Sequence, residues 1–317
     1  MTALEAVADR VARGERLGRD DARAVLESYD LIAIGMMGDE ARRRLRGTRT
    51  TFVRVFEVHT EAPPPAIPDS TTAGEFRIVG RPASLDAAAN TIARTRALAG
   101  AAPVTGYSLR ELVALSQGRD HHAVFARLKN AGLDAVAEVS IDDAAEVFDA
   151  VRVARGAGLT VARLTVQGVD STASADRNNW LDRQVVIIER GRALQESFGG
   201  FRAFAPLPRT ASITTPTTGY DDVKALALAR LILTDIESIQ VDWALYGPKL
   251  AQVGLTVGAD DVDGVEATDP GTLGTRRGPL EEIRRNIRAA ALEPVERDGL
   301  FRVIERVEGG GVNGSAA

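Results

Sequence analysis

Cysteine is absent from all 317 residues, and that absence excludes more chemistry than any motif in the chain asserts. Without thiolates there is no disulfide, no cysteine nucleophile, no Cys-based zinc site and no thiolate-held iron–sulfur cluster. Histidine is scarce as well: there are three, His59, His121 and His122, so no metal centre is expected. The adjacent pair reads as the exposed start of a helix. No apolar run approaches the roughly 20 residues that cross a bilayer. The N-terminal stretch MTALEAVADRVARGERLGRDD is charged and amphipathic, without a signal-peptide core. A cytoplasmic protein with no membrane partner is the expectation. Basic excess is missing too, with a net charge of −5 and a pI near 5.5, so nucleic acid is not an expected partner. The run Arg42–Arg46 reads as a solvated helix face. There is no GxxxxGK[ST], GxSxG or HExxH, and RGAGLT has too few glycines for a dinucleotide fingerprint.

The organisation is that of an α/β protein. Residues 3–46 are helical in pattern, with Val7 and Val11, then Ala22, Val25 and Leu26, at helical spacing and Asp20 a candidate N-cap. From Thr51 onward short β-rich runs alternate with helix-patterned runs, the signature of a parallel sheet or barrel. The expected strands are Phe52–His59, Phe76–Gly80, Pro103–Tyr107, Leu133–Ser140, Thr160–Gln167, Phe201–Leu207 and Ser238–Leu245. The expected helices are Leu85–Leu98, His121–Ala131, Asp142–Arg155, Asn178–Ser197, Asp221–Asp235 and Pro279–Ala291. One connection departs from this rhythm. Glu61–Glu75 contains four prolines, which exclude a regular helix although the segment must join two parallel strands. The expectation is an irregular, exposed segment across or beside the barrel mouth. The division expected is a helical lead-in over 1–50, a TIM-like parallel β/α barrel with a C-terminal extension over 51–307, and a disordered Gly-rich tail over 308–317.

Several ordered segments resemble a known family. RVARGERLGRDDARAVLESYDLIAIG, FVRVFEVHT, FRIVG, LKNAGLDAV, GGFRAFAPL, TGYDDVKALALARLIL, WALYGPKLAQVGLTVGADDVDG and EPVERDGLFRV resemble, in order, the aminofutalosine synthase group. That group is related to dehypoxanthine futalosine cyclase and deazaflavin (FO) synthase within the radical-SAM superfamily. The resemblance implies a radical-SAM barrel of transferase or lyase type acting in menaquinone biosynthesis. It also implies a loop C-x3-C-x2-C after the first strand, which the Pro-rich segment replaces. The family's paired glycines after the second strand are here Gly80 and Arg81. Neither an iron–sulfur cluster nor S-adenosylmethionine is therefore expected as cofactor.

Strand alternation marks out a candidate interior. One parity of the first strand carries Glu57 and His59. Other strands offer Tyr107, Glu138, Arg163 with Gln167, Arg202, and Asp242. Carboxylates and guanidiniums that converge at the C-terminal ends of strands either neutralise one another or capture a polar ligand. Lys249, after Pro248 at the start of a short helix, is a candidate for holding an anion, as it is for simple capping. The candidate ligand-binding set is thus Glu57, His59, Tyr107, Glu138, Arg163, Gln167, Arg202, Asp242 and Lys249, with Glu57, His59 and Asp242 the candidates for acid–base work. Three functions remain open: a cluster-less relative that binds a small polar, nucleoside- or carboxylate-like molecule, a cluster-free enzyme, and a structural partner of a cluster-bearing homologue.

Overall fold

The computed structural model describes residues 2–116, 118–143, 145–168, 177–210, 218–271 and 278–305; the tail 308–317 lies outside them. Three helices come first: α1 (Ala3–Ala12), α2 (Arg19–Glu27) and α3 (Leu31–Arg46). A reciprocal capping box starts α1, where Thr2 Oγ1 accepts the Glu5 N–H and Glu5 Oε2 accepts the Thr2 N–H at 2.7 Å. The α2 start differs from expectation. Gly18, not Asp20, is the N-cap, because the Asp21 carboxylate accepts the Gly18 N–H at 2.9 Å and is tied to Arg10. The Arg42–Arg46 run is also not wholly solvated. Arg42 is fully buried and donates to Asp39 and to the Gly47 carbonyl. Gly38 lets α3 pack tightly, since a Cβ there would sit 2.0 Å from the Val257 carbonyl oxygen.

The barrel follows in regular alternation. Its elements are β1 (Arg49–His59), β2 (Glu75–Val79), α4 (Leu85–Ala99), β3 (Val104–Ser108), α5 (Leu109–Ser116), α6 (His121–Asn130), β4 (Ala135–Ser140), α7 (Ala145–Gly156), β5 (Arg163–Gly168) and α8 (Arg177–Phe198). After these come β6 (Ala203–Thr210), α9 (Gly219–Ile232), β7 (Ser238–Asp242), α10 (Trp243–Leu255), β8 (Asp261–Glu266), α11 (Pro279–Ala289) and β9 (Glu293–Glu296). Strands β1 to β8 pair parallel in sequence order, and β8 pairs with β1 to close an eight-stranded TIM-like barrel. Outward side chains of neighbouring strands pack on one another, as where Phe56 of β1 and Phe76 of β2 lie with ring centroids 5.3 Å apart. Helix α9 is buried continuously from Lys224 to Ile232.

Three elements were not anticipated: α5, β8 and β9. Strand β7 is also shorter than the expected Ser238–Leu245. It stops at Asp242 because that carboxylate accepts the Leu245 N–H at 2.9 Å and caps α10. Strand β9 adds in parallel to the start of β1. The chain beyond it crosses the N-terminal end of the barrel, where Arg297 reaches Asp261 with two hydrogen bonds of 2.7 Å.

Residues 60–74 contain no helix, as the prolines require. The segment leaves β1 at the C-terminal end of the barrel and then runs back along it. The Thr72 N–H donates to the Ala267 carbonyl and the Gly74 N–H to the Arg54 carbonyl, both at 2.9 Å. Only its start, at Glu61, borders the mouth; the remainder takes the place of the first crossover helix.

Candidate functional site

The lumen is filled by a lattice of charge. Arg77 holds Glu75 with Nε and Nη2, at 2.7 and 2.9 Å, and Asp263 with Nη1 and Nη2, both at 2.8 Å. Arg163 Nη2 lies 2.6 Å from the same Asp263. Asp261 accepts from Arg297, from Gln240 Nε2 at 2.6 Å and from the Thr51 hydroxyl. Three guanidiniums (Arg77, Arg163, Arg297) thus meet three carboxylates (Glu75, Asp261, Asp263). Burial alone would raise the Asp263 carboxyl, but Arg163 and Arg77 outweigh it and hold it well below the usual carboxylate range. Burial pulls Arg163 down, and the Arg77 and Arg209 charges add to that effect against Asp263. The space left inside is about 20 Å³, room for a single water.

Above this lattice, at the C-terminal ends of the strands, the mouth is open. One cavity of about 320 Å³ is lined by Arg81, Arg110, Glu111, Glu138, Asp143 and Gln167 together with Ser108 and Ser140. A second, of about 410 Å³, shares Arg81 and Glu111 with it and extends to Glu61. Opposite, Arg209 bridges Glu138 at 3.0 Å and Asp242 at 3.3 Å. Burial pushes the Asp143 carboxyl up despite its bond from Arg110.

The sequence candidates divide among several places. Glu138 and Gln167 line the mouth cavity. Asp242 is held between Arg209 at 3.3 Å and Arg163 at 3.9 Å, while Arg163 itself belongs to the lumen lattice. Glu57 and His59 are exposed at the end of β1. The register Glu57↔Arg77 puts them on the lumen face of the strand, and neither side chain makes a hydrogen bond or ion pair among the described residues.

Three candidates lie elsewhere. Tyr107 was expected inward, but its φ of +57° reverses the alternation. Its ring is buried in the core, its hydroxyl is 2.9 Å from Thr60 Oγ1, and Ser108 lines the mouth instead. Arg202 precedes β6 and so lies at the opposite end of the barrel. There it holds Glu237 at 2.7 Å and sits 5.6 Å from the centre of the Phe301 ring. It shares no cavity with Glu57, Arg163 or Asp242. Lys249 is exposed on α10 beyond the kink at Gly247 and Pro248, outside the mouth cavities.

The sequence reading also missed residues that do line the mouth. Arg209 was missed because it lies beyond the expected strand Phe201–Leu207. A register shift between β5 and β6 carries the strand on to Thr210 and turns Arg209 inward. Arg110 and Glu111 belong to α5, whose start was legible in Ser108-x-x-Glu111. The Glu111 carboxylate accepts the Ser108 N–H at 2.8 Å and the Glu111 N–H donates to Ser108 Oγ, a capping box. Among the described residues no group of three His, Cys, Asp or Glu could hold a metal ion, and no helix is long and apolar enough to cross a membrane.

Comparison with known proteins agrees with this geometry. Residues 202–308 match the family model of the CofH/MqnC C-terminal region. Aminodeoxyfutalosine synthase of Thermus thermophilus is 32% identical over 59% of this chain and 57% of its own length. The 5-amino-6-(D-ribitylamino)uracil–L-tyrosine 4-hydroxyphenyl transferase of Methanothermobacter thermautotrophicus is 32% identical over 57% of this chain and 55% of its own length. The matched stretch therefore spans little more than half of these relatives. In fold, the chain is similar to methylornithine synthase, with a TM-score of 0.60, 13% identity and coverage of 91% of this chain and 97% of the other. The chain carries the CofH/MqnC C-terminal region over residues 202–308, is similar over little more than half its length to aminodeoxyfutalosine synthase, and has no cysteine in all its 317 residues.

Proposed function

We propose that this barrel works without an iron–sulfur cluster and holds a small polar molecule at its C-terminal mouth, in or near the menaquinone chemistry of its relatives. The carrying observation is the division of the interior. The lumen is closed by paired charges down to about 20 Å³, while about 320 Å³ stays open above it among groups of both signs. Buried charges persist when they are paired or when a ligand meets them. The lumen charges are paired, so ligand binding falls to the mouth and in particular to Glu138 and Gln167. The residues between β1 and β2 do not fit a cluster, since Glu61–Glu75 offers prolines and no thiolate. Arg81, where the resemblance calls for a second glycine, projects a guanidinium into the mouth; it speaks against S-adenosylmethionine bound in the family's manner.

The test is thermal stabilisation of the full chain by a panel of nucleosides and small carboxylates. A concentration-dependent rise in melting temperature that Gln167→Ala removes supports the reading. No rise with any compound overturns it.

A second reading, a structural partner of a cluster-bearing homologue, is favoured by Ile32 and Met36. They are 77% and 67% exposed one turn apart on α3, side by side on one helix face where a partner could cover them. Copurification of such a homologue, lost on Met36→Glu, is its test.

A further inference from the structure

This inference rests on the mouth being the ligand site, and it concerns what the mouth selects. Asp143 lies in the β4–α7 connection, two residues before α7, with its side chain 1% exposed. Its Oδ1 is taken by Arg110, whereas its Oδ2 is buried with no hydrogen-bond partner among the described residues. An acceptor oxygen in that state is costly to leave unmet, and Asp143 lines the open cavity. The Arg110 guanidinium already neutralises this carboxylate. What Oδ2 lacks is therefore a donor rather than a counter-charge, and a neutral hydroxyl supplies it. Arg81 lines the same cavity and makes no hydrogen bond or ion pair among the described residues. An unengaged guanidinium is the complement of a carboxylate or phosphate.

We propose that the mouth selects a small hydroxylated anion, with a hydroxyl donated to Asp143 Oδ2 and the anionic group held by Arg81. Carboxylate and phosphate share this chemistry, and the probes separate them.

The experiment is calorimetric titration of the full chain with two pairs of compounds: L-malate against succinate, and glycerol 3-phosphate against propyl phosphate. Within each pair only the hydroxyls differ. In at least one pair the hydroxylated anion is expected to bind on the order of tenfold more tightly, as one well-placed hydrogen bond to a charged group gives. The pair that shows the preference identifies the anionic group. Asp143→Ala is expected to erase the preference whatever it does to the affinity of the hydroxyl-free anion, and Arg81→Ala to weaken both members. Equal binding within both pairs, or a preference that survives Asp143→Ala, overturns the inference. If Arg81→Ala still weakens binding in that case, the mouth remains the ligand site. If none of the four compounds binds, this inference falls, while the mouth as a ligand site stands or falls on the thermal panel of nucleosides and carboxylates. Should Asp143→Ala lose its cooperative melting transition, the wild-type preference alone decides.

Discussion

Arg77 and Asp263 meet fork to fork in the barrel interior, with Nη1 2.8 Å from Oδ2 and Nη2 2.8 Å from Oδ1. Each also serves a second partner, Glu75 for the arginine and Arg163 for the aspartate. The pair is therefore the node through which strands β2, β5 and β8 are joined inside the lumen. Removing Arg77 leaves Glu75 buried without its guanidinium and Asp263 with Arg163 as its remaining close counter-ion. Arg77→Met is expected to lower stability by about 3–5 kcal/mol, read as a fall in the urea midpoint. Arg77→Lys, which keeps the charge but not the fork, should fall between. A methionine variant within about 0.5 kcal/mol of wild type would show that the lattice contributes little.

Asp260 gives a dependence on pH. Burial raises its carboxyl from 3.8 to about 6, against the opposing pull of Arg230 and Arg46. A carboxyl whose folded value is raised favours the unfolded state as pH climbs between the two values, so its contribution is most favourable near pH 4 and is lost by about pH 7. Asp260→Asn cannot titrate. The stability advantage of wild type over this variant should therefore grow by about 2 kcal/mol between pH 7.5 and pH 4.5. Paired urea titrations at the two values check it; an advantage that shrinks on acidification would contradict the shift.

Iron reconstitution tests the absence of a cluster directly. The full chain, incubated anaerobically with iron and sulfide and then desalted, should stay colourless and iron-free, because every natural thiolate ligand is missing. Stoichiometric retained iron with a brown chromophore would refute the cluster-free reading.

Gly38 is expected to be intolerant even of alanine. The added methyl would press on the Val257 carbonyl oxygen, and on the carbonyl carbon at 2.9 Å, and backbone cannot swing aside as a side chain can. A loss of about 2 kcal/mol or more is expected, measured by thermal unfolding. A neutral Gly38→Ala would mean that α3 shifts freely on the barrel.

Much of this architecture was written in the chain's alternation. Glu57 with His59, Arg163 with Gln167, and Gln240 with Asp242 each fall on one strand face because a regular strand has a period of two. The failures came where that period breaks. At Tyr107 a left-handed residue flips the face, and between β5 and β6 a shift in register brings in Arg209. Neither is visible without the partner strand. Depth was the other blind spot. Arg202 has the right chemistry for a ligand but precedes its strand, and so serves the opposite end of the barrel. Helix α5, by contrast, was readable from Ser108 and Glu111 alone.

The reach of Arg297 into the barrel from beyond β9 bears on how the protein is made. Asp261 finds its two-pronged partner only in a residue that leaves the ribosome some 36 positions later. Until then the nascent barrel carries an acid at its centre without that counter-ion, and its N-terminal end is uncovered. The charge balance of the lumen is thus shared between the barrel strands and the chain that follows them, and is complete only with Arg297 in place.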